Sequence, residues 1–239
     1  MNECINILST RAISAEIISA ALSNHIHIEC RDFIKIIPVL SDENKENILQ
    51  IAKQPEVVVF TSMNAVDIIQ AQVPEKVSWK IYCVGDTTAE KITSWQGAES
   101  IIAMADNAGL LAEKIIEDQR SEVWFFCGDR RRDELPEKLK NAGINLHEIV
   151  VYETINKSEE IEVENYAGIL FFSPSAVESY FENNISQPGQ VFFAIGKTTA
   201  ATLETFTSER IITGQFTGKD SLALEAVNYF TEVKENNNE

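Results

Sequence analysis

Two short turns, GDTTAEKI at 85–92 and GKTTAATL at 196–203, repeat a glycine, two threonines and an alanine 111 residues apart. Each stands where an apolar run gives way to helical spacing, so each sets hydroxyls at the start of a helix. Such a start offers free backbone N–H groups and the positive end of the peptide dipoles, and both favour anions. The chemistry this suits is the holding of carboxylates or phosphates without a lysine cluster. Two further turns read the same way. In FTSMNAV (60–66) Ser62 is placed as an N-cap. In FFSPSAV (171–177) Ser173 caps and Pro174 takes the first helical position, where a missing N–H is no loss. Thr87 and Glu90 have the spacing of a capping box, and the second turn keeps Thr198 but puts Ala201 where the acid would be.

Other chemistries lack their residues. There is no GxxxxGK[ST], no GxGxxG after the first strand and no GxSxG elbow. His25, His27 and His147 are the only histidines, none at metalloprotease spacing, and Cys4, Cys30, Cys83 and Cys127 do not cluster with them, so no metal is expected. Catalysis, if there is any, then falls to hydroxyls, carboxylates, arginines and backbone. A formal charge of −17, from 20 basic against 37 acidic residues, argues against a nucleic-acid partner, whose phosphates need a basic face. No apolar run approaches the ~18 residues of a membrane span. The opening MNECINILSTRA has no basic stretch before a long apolar one, and scattered cysteines suit a reducing compartment, so a cytoplasmic protein is expected.

The elements that must position the turns follow from periodicity. Strands are predicted at 5–8, 33–39, 57–60, 81–84, 123–126, 147–152, 169–172 and 191–195, each a short run rich in β-branched and aromatic residues. Segments with helical spacing lie between them, such as AEIISAALS, AVDIIQAQ, LLAEKIIED and SLALEAVNYF. The alternation predicts an α/β fold of two small domains with mainly parallel sheets. EVVVFTSMNAV (56–66) aligns with AGILFFSPSAV (167–177), and Leu111-Ala112 with Leu222-Ala223, all at the same offset of 111. A weaker echo links NILSTRA near the start with FFCGDRR at 125–131. The chain therefore reads as internal repeats in the order A-B-A′-B′. The closing KENNNE (234–239) is expected to be a disordered tail.

Seven segments, in order and over nearly the whole chain, resemble the uroporphyrinogen-III synthase family. They are STR (9–11), VFTSMNAV (59–66), CVGDTTAEKI (83–92), CGDRRRDELPEKLKNAGI (127–144), VVYET (150–154), FFSPSAVESYF (171–181) and AIGKTTAATL (194–203). The resemblance implies two α/β domains joined by a two-stranded β linker, with the active site in the cleft between them. It places domain one at 1–37 plus 154–239 and domain two at 38–153. The activity implied is a cofactor-free lyase reaction of tetrapyrrole biosynthesis. Linear hydroxymethylbilane, an octacarboxylate, loses water and closes with its last pyrrole ring inverted. A monomer is implied, with transient contact to the preceding pathway enzyme and none to a membrane.

Carried over by position, Tyr152 in VVYET is implied as the proton donor. Arg11, Ser62, Gly85, Thr87, Thr88, Arg130, Ser173, Ser175, Gly196, Thr198 and Thr199 are implied to bind substrate. Arg131 and Arg132 follow Arg130, and which of the three faces substrate stays open. Ala12 stands where the family often has proline, and Met63 where Pro174 stands in the second copy, departures that bear on turn rigidity. The alternative is a non-catalytic two-domain cytosolic protein that binds an anionic metabolite.

Overall fold

The computed structural model describes residues 4–215 and 218–237, the last three by backbone alone. The chain divides into two compact units, residues 1–35 with 155–239 and residues 36–154.

In the first unit, strand β1 (Ile5–Ser9) is followed by α1 (Ala15–Ser23) and β2 (Ile26–Cys30). After the second unit the chain returns with β9 (Gly168–Phe171), α7 (Pro174–Phe181), β10 (Val191–Ala194), α8 (Lys197–Leu203), β11 (Arg210–Thr213) and α9 (Lys219–Asn237). The sheet order is β11-β10-β9-β1-β2, with every pair parallel. A parallel sheet must be covered on both faces. One face buries Ile7, Ile28, Leu170 and Phe193 with α9, through Leu222, Ala223, Ala226, Val227 and Phe230. The other buries Leu8, Ile169, Phe171 and Phe192 with Val177, Tyr180 and Leu203 of α7 and α8.

The second unit contains β3 (Ile34–Pro38), α2 (Asp42–Ile51), β4 (Val57–Phe60), α3 (Met63–Gln72), β5 (Lys80–Val84) and α4 (Asp86–Gln96). Then come β6 (Ile101–Ala105), α5 (Ala108–Glu117), β7 (Glu122–Gly128), α6 (Glu134–Asn141) and β8 (Asn145–Asn156). The order is β3-β8-β7-β4-β5-β6, and β8 through β6 are parallel neighbours. β3 and β8 are the segments on which the chain passes from one unit to the other. Val39 N–H donates to Val151 O at 3.0 Å and Lys157 N–H to Phe33 O at 2.8 Å, the reversed spacing of an antiparallel ribbon.

The repeats explain both orders. Counting β7 and β8 before β4, β5 and β6, the second sheet reads as the first does: the second strand, the first, then three in sequence. In each sheet the chain builds outward on one side of a strand and then on the other. The reversal lies between β1 and β9 in one and between β4 and β7 in the other. Open α/β sheets take ligands there, beyond the carboxyl ends of the strands.

The tail differs from expectation. Residues 234–237 continue α9, and residues 238–239 lie outside the described ones. The apolar face of α9 is already packed, and the Lys234 ammonium donates to the His25 carbonyl at 2.9 Å, so the last turns have something to hold.

Candidate functional site

Tyr152 lies on β8 opposite Gly128, the last residue of β7, where the register slips between Cys127 and Gly128. Such a bulge re-aims a side chain. Here it lays the half-buried Tyr152 ring directly over Gly128: a Cβ on that glycine would stand 2.4 Å from Cε2 and Cζ and 2.8 Å from the hydroxyl. Only a residue without Cβ admits the ring. Burial raises the phenol above its ordinary pKa, and hydrogen bonding by Ser62 and Asn64 draws it partly back. The neighbouring Cys127 thiol is pushed up to about 12, chiefly by burial, and so stays neutral. The phenol is therefore a protonated donor beside the reversal point of its own sheet.

Ser62 is the N-cap of α3 and accepts from Asn64 N–H at 3.1 Å. Ser173 caps α7, accepting from Ala176 N–H at 3.2 Å, with Pro174 in the first turn. The threonine turns behave otherwise, and the capping box expected at Thr87 does not form. Gly85 and Gly196 are the N-caps of α4 and α8, and neither helix has a side-chain cap bond. Thr87 and Thr198 sit one residue inside the helices, too late to cap. Among the described residues, the hydroxyls of Thr87, Thr88, Thr198 and Thr199 make no hydrogen bond. Thr88 and Thr199 are only 3% and 2% exposed, whereas Thr87 and Thr198 are half-buried.

In the first unit Arg11 follows β1 and is exposed. The loop beneath it is fixed by Thr10, whose N–H and hydroxyl both donate to Leu170 O at 3.0 and 2.8 Å. The Ser9 hydroxyl donates to Arg11 O at 2.6 Å. Arg131 pairs with Glu148 and Asp133, and the side chains of Arg130 and Arg132 are exposed.

The twelve candidates fall into two sets. Ser62, Gly85, Thr87, Thr88 and Arg130 follow the carboxyl ends of β4, β5 and β7, and Tyr152 stands on the adjacent β8 at its last pairing with β7. Arg11, Ser173, Ser175, Gly196, Thr198 and Thr199 gather at the ends of β1, β9 and β10 in the other sheet. Sequence reasoning missed Asn64, Gly128, Asp129 and Lys197. The repeat carried a signal for Asn64, which stands 111 residues before Ser175. Gly128 had none, because its role depends on a ring brought over it from another strand.

A family model described as uroporphyrinogen-III synthase HemD matches residues 25–222. The uroporphyrinogen-III synthase of Saccharomyces cerevisiae is 29% identical over an alignment of 166 residues that covers 64% of this chain and 58% of that protein. The chain thus spans less than two thirds of that relative's length. Two solved structures share the fold. A mutant uroporphyrinogen III synthase from Thermus thermophilus has a TM-score of 0.66 at 11% identity, covering 97% of this chain and 100% of that one. The synthetase from Helicobacter pylori has 0.62 at 15%, covering 94% and 99%. A family match over most of the chain, on an α/β fold with mainly parallel sheets, makes this protein a member of the uroporphyrinogen-III synthase family.

Proposed function

We propose that the protein converts linear hydroxymethylbilane into uroporphyrinogen III, with loss of water and inversion of the last pyrrole ring. The observation that carries the reading is the Tyr152 phenol, kept protonated by burial and laid over Gly128 beside Ser62 and Asn64. The phenol gives its proton to the departing hydroxyl as the C–O bond breaks, and water leaves. The remaining cation is attacked by the substituted carbon of the last ring, forming a spiro intermediate. That intermediate opens and recloses at the other carbon. The proton released as the macrocycle regains aromatic pyrroles restores the phenol, so the balance is one water lost.

The other side chains hold rather than react. An octacarboxylate needs hydrogen-bond donors, and the hydroxyls of Thr87, Thr198 and Ser175 with the guanidinium of Arg11 have no partner among the described residues. Thr88 and Thr199, being buried, are assigned the shaping of the turns and contact through the backbone beside them. Gly85, Gly196, Ser62 and Ser173 supply the helix starts, and Arg130 a cation after β7. Holding a flexible chain in one geometry can be worth several orders of magnitude in rate. The reading includes a cytoplasmic monomer that meets the preceding enzyme only transiently.

The test is incubation with hydroxymethylbilane, oxidation and chromatography of the porphyrins. Isomer III at a rate proportional to protein is the expected result. Isomer I alone, the unaided closure product, overturns the reading and leaves a binding protein for an anionic metabolite.

A further inference from the structure

Asp129 follows Gly128 and brackets Tyr152 on the neighbouring strand. Its N–H donates to the Tyr152 carbonyl at 3.0 Å, and its Oδ1 accepts from Thr154 N–H at 2.9 Å. The first bond fixes the residue that carries the phenol, and the second fixes the peptide two residues on. In effect the side chain continues the β7–β8 ladder after β7 has ended, in the place where a backbone carbonyl would serve. Thr154 is buried, so its N–H would be costly to leave unpaired. This lies beside the bulge at Gly128, where β8 would otherwise be free to twist and carry the ring off the glycine.

The geometry points to Asp129 as a positioning residue for the Tyr152 phenol, acting as a backbone clamp that keeps the ring seated on Gly128. The inference rests on the reading above for its kinetic consequence, but not for its structural one. The part that acts is the acceptor oxygen rather than the negative charge, since an N–H needs only an acceptor. Asparagine can supply one at the same place and alanine cannot.

The experiment combines turnover with a readout that needs none. In protein carrying 13C-labelled tyrosine, the Tyr152 ring resonance is identified by its loss in Tyr152→Phe. It should shift in Asp129→Ala and in Gly128→Ala, and stay in place in Asp129→Asn. In turnover, Asp129→Ala should lower kcat about tenfold with KM held and Tm a few degrees lower, because the Thr154 N–H loses its acceptor, and Asp129→Asn should return kcat to within about twofold. In the Tyr152→Phe background, Asp129→Ala should cost nothing more. An unmoved ring in Asp129→Ala, an asparagine as damaging as alanine, or an undiminished loss in the Phe background each overturns the clamp. Should Asp129→Ala fail to fold, Asp129→Ser, whose shorter side chain does not reach the Thr154 N–H, takes its place: the ring resonance should shift, and an unmoved ring overturns the clamp. A wild type that makes no isomer III sinks the proposed function alone, because the ring resonance still reports on the clamp.

Discussion

The two B copies, β4 to α5 in one unit and β9 to α9 in the other, start their strands and helices at nearly the same offset and then diverge at the turns. β4 begins at Val57 and β9 at Gly168, α3 at Met63 and α7 at Pro174, α4 at Asp86 and α8 at Lys197, α5 at Ala108 and α9 at Lys219, each pair 111 residues apart. Burial follows the same offset: Phe60 and Phe171 are fully buried, as are Leu111-Ala112 and Leu222-Ala223. The differences lie at the loop ends. Gly85 has φ of 78° and Gly196 has −174°, so only the first demands a glycine. The residue after each is an acid in one copy and a base in the other, Asp86 against Lys197. Ser62 has Tyr152 beside it, and the strand matching β8 in the other unit, β2, has no tyrosine. The two copies thus share what packs and differ at the turns, and on the proposed function only the unit that holds Tyr152 supplies a proton donor.

The largest expected effect tests the sameness. Phe60→Ala and Phe171→Ala each remove a fully buried ring packed against other rings, and each should cost about 3–5 kcal/mol in denaturant unfolding. A cost confined to one copy would break the equivalence of the two cores. The turns should then separate. Gly85→Ala forces a side chain into a region nearly reserved for glycine and should cost about 1–3 kcal/mol. Gly196→Ala, in extended backbone with nothing within 4 Å of the new Cβ, should stay within about 0.5 kcal/mol. Equal costs would remove the distinction.

How far these differences could be read beforehand follows from the residues. The offset of 111 marked both copies because buried residues tolerate little change, and Val58, Val59 and Phe60 face the same packing as Ile169, Leu170 and Phe171. Strands β2, β6 and β11 were not predicted. Each is an edge of its sheet: IHIEC alternates polar with apolar residues, RIIT has only two apolar residues with exposed ends, and IIAMA, though apolar, has two exposed positions and carries alanine and methionine where the predicted strands have β-branched or aromatic side chains. The capping box at Thr87 failed because glycine two residues earlier takes the cap, a choice set by the turn and not by the Thr–Glu spacing. Tyr152 could be carried over from a resemblance, but its seat on Gly128 joins two strands whose register contains a slip.

Smaller effects should appear in affinity. Lys197→Ala should raise KM about two- to fivefold, whereas Asp86→Asn should leave it unchanged or lower it, because charges at helix starts are worth about 0.3–1 kcal/mol. If both changes move KM in the same direction, the opposed charges of the two turns do not divide the work. The smallest effect touches no activity. Cys4 and Cys30 are exposed, whereas the Cys83 and Cys127 thiols are buried and pushed up to about 11 and about 12. Two thiols should therefore react with a disulfide reagent in the native protein and four after unfolding.

The measurement that bears most directly on the proposed role of Tyr152 is the turnover of Tyr152→Phe with hydroxymethylbilane. Phenylalanine keeps the ring over Gly128 and removes only the proton. The expected result is a kcat lowered at least about tenfold, since water can partly replace the acid, with KM and Tm nearly unchanged and isomer III still the product. An unchanged kcat would make Tyr152 a packing residue and contradict the account. A switch to isomer I would contradict it differently, by showing that the hydroxyl placed the last ring rather than donating a proton.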